Sequence, residues 1–294
     1  MTGAIVVGYT ATDAGADAAA LGARLARSLD AAVHLVMVLP SEGTRSPIVP
    51  PERAYEDHLR TQARQWLSDA VEALPPQLTR SAHVRFAESF AEGLVAAGEE
   101  FGARLIVIGT AGGGIFGRHR LGSVATELLH SSTIPVALAP AGLSGEDDHV
   151  VPRVTVAVGT RPGAETLLDE AAAFAADAST DLRLVSLVPF DMPPGLDTGA
   201  IRLATGSHAH DVLARAAEML PDGLGAVVEE APGESVEDAV SNLSWLPGEI
   251  VLVGSSRLAQ PRRLFLGSTA AKMLHELPVP MIVVPRTRAE AGAQ

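Results

Sequence analysis

The chain has 294 residues, 47% of them hydrophobic and 19% charged, with no cysteine and a formal net charge of −13. At about 150 residues per domain this suggests two domains, with apolar sequence enough for two cores, and excludes wholesale disorder. The missing thiols exclude disulfides, zinc fingers, iron–sulfur clusters and cysteine catalysis, and the acidic balance argues against nucleic acid or an anionic membrane as the partner.

From the N-terminus, Met1 to Ile5 lacks the basic and apolar regions of a secretion signal. No apolar run approaches the roughly 18–20 residues of a membrane helix, so a soluble cytoplasmic protein is expected. A Val/Ile-rich run near 4–9 predicts the first strand, and helical spacing follows from Asp13 to Leu29. Strands near 33–39, 83–87, 104–109 and 134–139 then alternate with helices over Glu52–Leu74, Glu92–Phe101 and Ser123–His130. A polar, Gly-containing linker runs from Gly142 to His149.

After the linker the same order repeats. Ile5-Val6-Val7-Gly8-Tyr9 returns 149 residues later as Val154-Thr155-Val156-Ala157-Val158, and Val33-His34-Leu35-Val36 returns at that offset as Leu182-Arg183-Leu184-Val185. Leu105–Gly109, Gly122-Ser123 and Ile134-Pro135-Val136 return 145 residues on as Ile250–Gly254, Gly267-Ser268 and Val279-Pro280-Met281. One domain written twice is expected, as residues 1–141 and 152–287, joined by 142–151 and followed by a frayed tail over 288–294. Apolar strands without alternation, set between helices, imply parallel pairing, burial on both faces and right-handed crossovers. The fold class is α/β, with two duplicated open doubly wound five-stranded parallel sheets.

The chemistry concentrates after the fourth strand. Copy one reads Gly109-Thr110-Ala111-Gly112-Gly113-Gly114-Ile115-Phe116-Gly117, and ten residues past Gly112 comes Gly122-Ser123 at a helix start. Glycines at a strand end can turn backbone N–H groups toward one anion. The unpaired N–H groups and dipole of a helix start do the same. Together they make a phosphate site without lysine. Lys272 is the one lysine in the chain and follows Ala271, so no Gly-Lys-Ser/Thr step exists and a P-loop is excluded.

The spacing Gly109-x2-Gly112-x9-Gly122-Ser123 resembles the nucleotide-binding signature of the universal stress proteins. The resemblance spans both copies, roughly 3–140 and 152–286, and marks a tandem two-domain member. It implies Rossmann-like sheets of strand order 3-2-1-4-5 that often bind ATP. Carried over by position, Gly109, Gly112, Gly122, Ser123 and Val124 would hold ribose and phosphates through backbone N–H groups and the Ser123 hydroxyl. Val38 would meet adenine through its backbone. The Asp that contacts the nucleoside in ATP-binding members is Thr10 here, which can still donate a hydrogen bond.

Copy two departs further. Thr10 is matched by Gly159, and the signature reads Gly254, Arg257, Gly267 and Ser268. Arg257 either replaces backbone donors on a phosphate or fills the cleft. Arg118 and Arg263 sit at equivalent places in the two loops, as anion contacts or as solvated arginines.

Other signals weigh less. Gly112 to Gly117 fits the dinucleotide pattern G-x-G-x-x-G, but it follows the fourth strand and opens no helix directly, which argues against NAD. His208-Ala209-His210-Asp211 reads as an exposed helix start near Ser207 rather than a metal site. His119 reads as an exposed loop residue, and Trp66 and Trp245 as packing residues. No catalytic or metal-binding residue is expected.

The leading expectation is binding of ATP or another adenine nucleotide, with Mg²⁺ as companion, in stress-response sensing or signalling. Pro40–Pro51 and Pro189–Gly199 would flank the adenine side. The alternatives are a nucleotide-free interaction scaffold with decayed sites, or a slow ATP hydrolase, for which no general base or carboxylate pair is placed. The fused copies can pair their last strands, Val136-Ala137-Leu138 with Ile282-Val283-Val284, as an intramolecular pseudo-dimer, with further homodimerisation open.

Overall fold

The computed structural model describes residues 3–41, 53–110, 121–146, 150–159, 164–189, 199–255 and 266–285. Copy one runs β1 (Ala4–Gly8), α1 (Asp13–Leu29), β2 (Ala32–Pro40), α2 (Arg53–Ala73), β3 (Arg80–Ala87), α3 (Phe90–Glu100), β4 (Ala103–Gly109), α4 (Ser123–Ser131) and β5 (Val136–Ala139). Copy two runs β6 (Arg153–Ala157), α5 (Ala164–Ala178), β7 (Asp181–Pro189), α6 (Gly199–Glu218), β8 (Ala226–Gly233), α7 (Val236–Ser241), β9 (Ile250–Gly254), α8 (Ser268–Glu276) and β10 (Met281–Val284).

Each copy has the expected order 3-2-1-4-5, but the two sheets are one. The ten strands run β3-β2-β1-β4-β5-β10-β9-β6-β7-β8. All pairs are parallel except the seam, where β5 and β10 pair antiparallel with Val136↔Val283, Ala137↔Ile282 and Leu138↔Met281. The edge left open by β5 is thereby closed within the chain.

Alternation along the buried strands feeds two layers. Ile5 and Val7 point to one face with Leu21, Leu25 and Leu168, while Val6 points to the other with Leu94, Leu128 and Leu274. Both layers continue across the seam, so the copies share their cores. Local signals set the helix ends. The Thr12 hydroxyl accepts the Gly15 N–H at the start of α1, and Asp30 ends it at φ 48°.

The polar segment after β5 is anchored. The Asp17 carboxylate, buried in α1, accepts the N–H groups of Gly142 at 2.9 Å and Ser144 at 2.8 Å, and the Ser144 hydroxyl at 2.7 Å. Leu143 is buried in the same turn.

Two expectations need correction. Trp66 is 40% exposed rather than packed, because it lies on the solvent side of α2. The histidines of His208-Ala209-His210 lie inside α6, which starts at Gly199 and not near Ser207; His210 is exposed, 3.6 Å from Glu230. Among the described residues no helix is long and apolar enough to cross a membrane, and no three metal-ligating side chains gather.

Candidate functional site

Of the expected site residues of copy one, Thr10 follows β1, Val38 lies near the end of β2, Gly109 ends β4, and Gly122, Ser123 and Val124 start α4. Pairing of β1 with β2 ends at Gly8↔Val36, and the Tyr9 N–H still donates to the Val36 carbonyl at 2.9 Å. Alternate residues of a strand point their backbone groups the same way, so the Val38 carbonyl also faces the β1 side. There the chain has turned away: the Thr12 N–H donates to the Thr10 carbonyl at 2.8 Å, and the two threonine hydroxyls lie 2.9 Å apart. Val38 thus presents backbone toward the side where the chain turns at Thr10.

Gly109 has a packing role. A Cβ there would lie 1.8 Å from the Ala14 carbonyl oxygen, so glycine is what lets the first turn of α1 lie against β4. The next residue, Thr110, is buried and donates its N–H and hydroxyl to Ala139 at 2.9 and 2.8 Å.

Gly122 is the opposite case. It N-caps α4 at φ −80° and ψ 175°, and a Cβ would meet nothing within 4 Å. The helices α1, α3 and α7 are capped by the side chains of Thr12, Ser89 and Ser235. Among the described residues no side chain caps α4, so the N–H groups of Ser123, Val124 and Ala125 have no side-chain partner there. Ser123 is exposed and Val124 half-buried.

Copy two repeats the frame. Val158 donates to Val185 at 2.8 Å, Leu187 takes the place of Val38, Ser255 donates to Val284 at 2.8 Å, and Gly267 caps α8 without a side-chain bond. Among the described residues nothing lies within 4 Å of a Cβ placed on Gly159, and the nearest atom to one on Gly254 is a Leu167 methyl at 3.7 Å; residues 160–163, which match the start of α1, lie outside the described residues. Ser268 opens α8. Gly112, Arg118, His119, Arg257 and Arg263 lie outside the described residues, as do 42–52, 190–198 and the tail after 285.

Sequence reasoning missed three side-chain clusters. At the site itself, the Ser89 hydroxyl donates to Glu127 Oε1 at 2.6 Å, linking the start of α3 to α4. A signal existed, since Ser89-x-x-Glu92 is a capping box and Glu127 stands one turn beyond Ser123.

The second cluster sits toward the amino ends of β2 and β3. The Ser81 hydroxyl lies 2.7 Å from His34 Nδ1 and 2.8 Å from His83 Nε2, and Phe101 stacks on His34 at 4.3 Å. Burial, then the neighbouring imidazole, holds His34 below its ordinary pKa. Burial and the Arg85 charge lower His83, with Glu100 opposing in part.

In copy two Arg183 stands where His34 does, and Glu229 where His83 does. The Arg183 guanidinium donates to Thr155, Glu229 and Glu249 at 2.8, 2.9 and 2.8 Å, with the Trp245 ring 4.9 Å away. Thr155 donates in turn to Glu249, whose other oxygen accepts Arg153 at 2.6 Å.

The architecture is that of a duplicated Rossmann-like α/β protein with a glycine-capped helix start in each half. The family model described as the universal stress protein family matches residues 1–140 and 151–285. A universal stress protein of Mycobacterium tuberculosis is 26% identical over 290 residues, covering 96% of this chain and 99% of its own. A second one from that organism is 28% identical over 197 residues, covering 62% and 61%. Among solved structures, a universal stress protein of Archaeoglobus fulgidus superposes with a TM-score of 0.66 at 17% identity, covering 97% of this chain and 98% of its own. The chain belongs to the universal stress protein family.

Proposed function

We propose that copy one binds an adenine nucleotide, with ATP and Mg²⁺ as the form to test, and that binding serves stress-response sensing or signalling rather than turnover. The observation that carries this reading is the bare start of α4. Among the described residues its first N–H groups have no capping side chain and nothing lies within 4 Å of a Cβ on Gly122, and the dipole favours an anion there. The Val38 carbonyl and the Thr10 turn lie across the same strand ends, where a nucleoside joined to that phosphate would reach. ATP enters through the resemblance of the glycine spacing to the family signature. The residues fit this ligand at the described positions, and bound Mg²⁺ would supply charge neutralisation at the phosphates.

Titration calorimetry of the whole chain with ATP and Mg²⁺ tests the reading. Gly122→Asp is the informative variant, because aspartate is a good N-cap and would occupy the N–H groups with a negative charge. Heat of binding should vanish while the thermal unfolding curve stays in place. No heat from the unmodified chain at high concentration overturns the reading.

A further inference from the structure

Two histidines of copy one stand apart from the nucleotide reading. His34 on β2 lies opposite Ser81 on the edge strand β3, and His83 follows two residues on, so all three side chains leave the sheet on one face, beneath Phe101. His34 Nδ1 and His83 Nε2 are 3.4 Å apart, and the Ser81 hydroxyl oxygen lies 2.7 and 2.8 Å from them. Two nitrogens held at about 2.0–2.1 Å by one tetrahedral zinc ion are about 3.3–3.4 Å apart. The β2–β3 ladder thus sets the spacing of a ligand pair, and Phe101, with ring centroids 4.3 and 4.6 Å away, backs both imidazoles.

The Ser81 hydroxyl stands where both nitrogens point. Rotation about its χ1 withdraws it or makes it a third ligand, and water completes the set. Solvent reaches the pair, since both rings are half-buried and His34 lines a cavity of about 470 Å³ with Phe101, Asp30 and Gln77. Ligation needs neutral imidazole, the form that burial favours in both residues. Copy two fills the matching place with a cation of its own. Arg183, Val227 and Glu229 stand at the three positions, and the buried guanidinium donates to Glu229.

We propose that His34 and His83 bind one divalent transition-metal ion of the zinc class, with Ser81 and water completing four-coordination. Imidazole suits such ions, whereas Mg²⁺ and Ca²⁺ favour oxygen ligands. The metal ties the edge strand β3 to β2, so its binding stabilises copy one. The site is independent of the nucleotide reading, being toward the amino ends of the strands.

The experiment is titration calorimetry of the full chain with Zn²⁺ alone, after treatment with EDTA and desalting. One ion per chain should bind, and the thermal midpoint should rise with it. His34→Gln and His83→Gln should each weaken binding at least about tenfold, since losing even an outer partner of a metal ligand costs about 10–100-fold. His210→Gln, which alters an exposed histidine of copy two, should leave the titration unchanged. Should a variant unfold, ¹⁵N NMR of the imidazoles in the unmodified chain supplies the answer: zinc should attach to one histidine at Nδ1 and to another at Nε2, the pairing this geometry dictates. Absence of heat with Zn²⁺, binding that survives both substitutions, or attachment through Nε2 nitrogens alone overturns the inference.

Discussion

Arg183 Nη2 donates to Glu249 Oε1 at 2.8 Å, and neither side chain exposes more than 1% of its surface. Burying two charges is costly, and removing Glu249 takes from the Arg183 guanidinium the carboxylate that is buried with it. Glu249→Leu should destabilise the protein by about 3–5 kcal/mol, seen as a lower denaturant midpoint. Adding Arg183→Met to that variant should recover much of the loss, because the stranded cation is then gone. A single variant as stable as the parent would show that Glu229 alone satisfies the guanidinium.

Copy one carries a titrating cluster where copy two carries this ion pair. His34 and His83 are both held below the ordinary 6.5, so the fold favours their neutral forms and binds fewer protons than the unfolded chain as pH falls past that value. Their contribution to stability is full above 6.5 and is lost from there down through the lowered folded values. The facing charges are Arg85 and Glu100, themselves paired at 2.7 Å. Urea midpoints should drop on acidification across this window, and His83→Asn should flatten the drop. An unchanged slope in that variant would assign the acid sensitivity elsewhere.

How far sequence reads into this structure depends on the range of the interaction. The limits of α1 follow from a Thr cap and an apolar stripe, and Asp13–Leu29 is both expected and observed. The seam followed from edge logic, since a fused pair has two matching open edges to close; its antiparallel register, Ala137 opposite Ile282, needed the coordinates. The start of α6 at Gly199 was hidden because Gly199 and Gly206 are weak helix formers. Arg183, Thr155 and Glu249 are dispersed along the chain, and nothing local announces that they meet. The glycine spacing located the helix starts, but spacing alone does not separate Gly109, excluded from bearing a side chain by Ala14, from Gly122, which faces open space.

The anchoring of the segment after β5 can be tested through Asp17. Its two oxygens accept three bonds from Gly142 and Ser144, holding Leu143 in the core. Gly142 and Ser144 are themselves exposed, so Asp17→Ala gives up bonds to a charged acceptor without stranding buried donors, a loss of about 1.5–3 kcal/mol. Limited proteolysis should then cut between the copies sooner than in the parent. Equal cleavage rates would mean that the apolar contact of Leu143 suffices.

The glycines make the sharpest contrast. Gly109→Ala places a methyl 1.8 Å from the Ala14 carbonyl oxygen, a backbone atom that moves only if α1 moves. Overpacking of this kind costs about 1–3 kcal/mol, occasionally more, so a clear fall in the thermal midpoint is expected. Gly122→Ser should do the reverse of Gly109→Ala. Serine caps a helix at least as well as glycine, so stability should hold or rise by a few tenths of a kcal/mol. Its hydroxyl would take one of the N–H groups of α4, and nucleotide affinity should fall. Loss of stability in Gly122→Ser, or none in Gly109→Ala, would reverse these assignments of which glycine serves the fold and which serves the ligand.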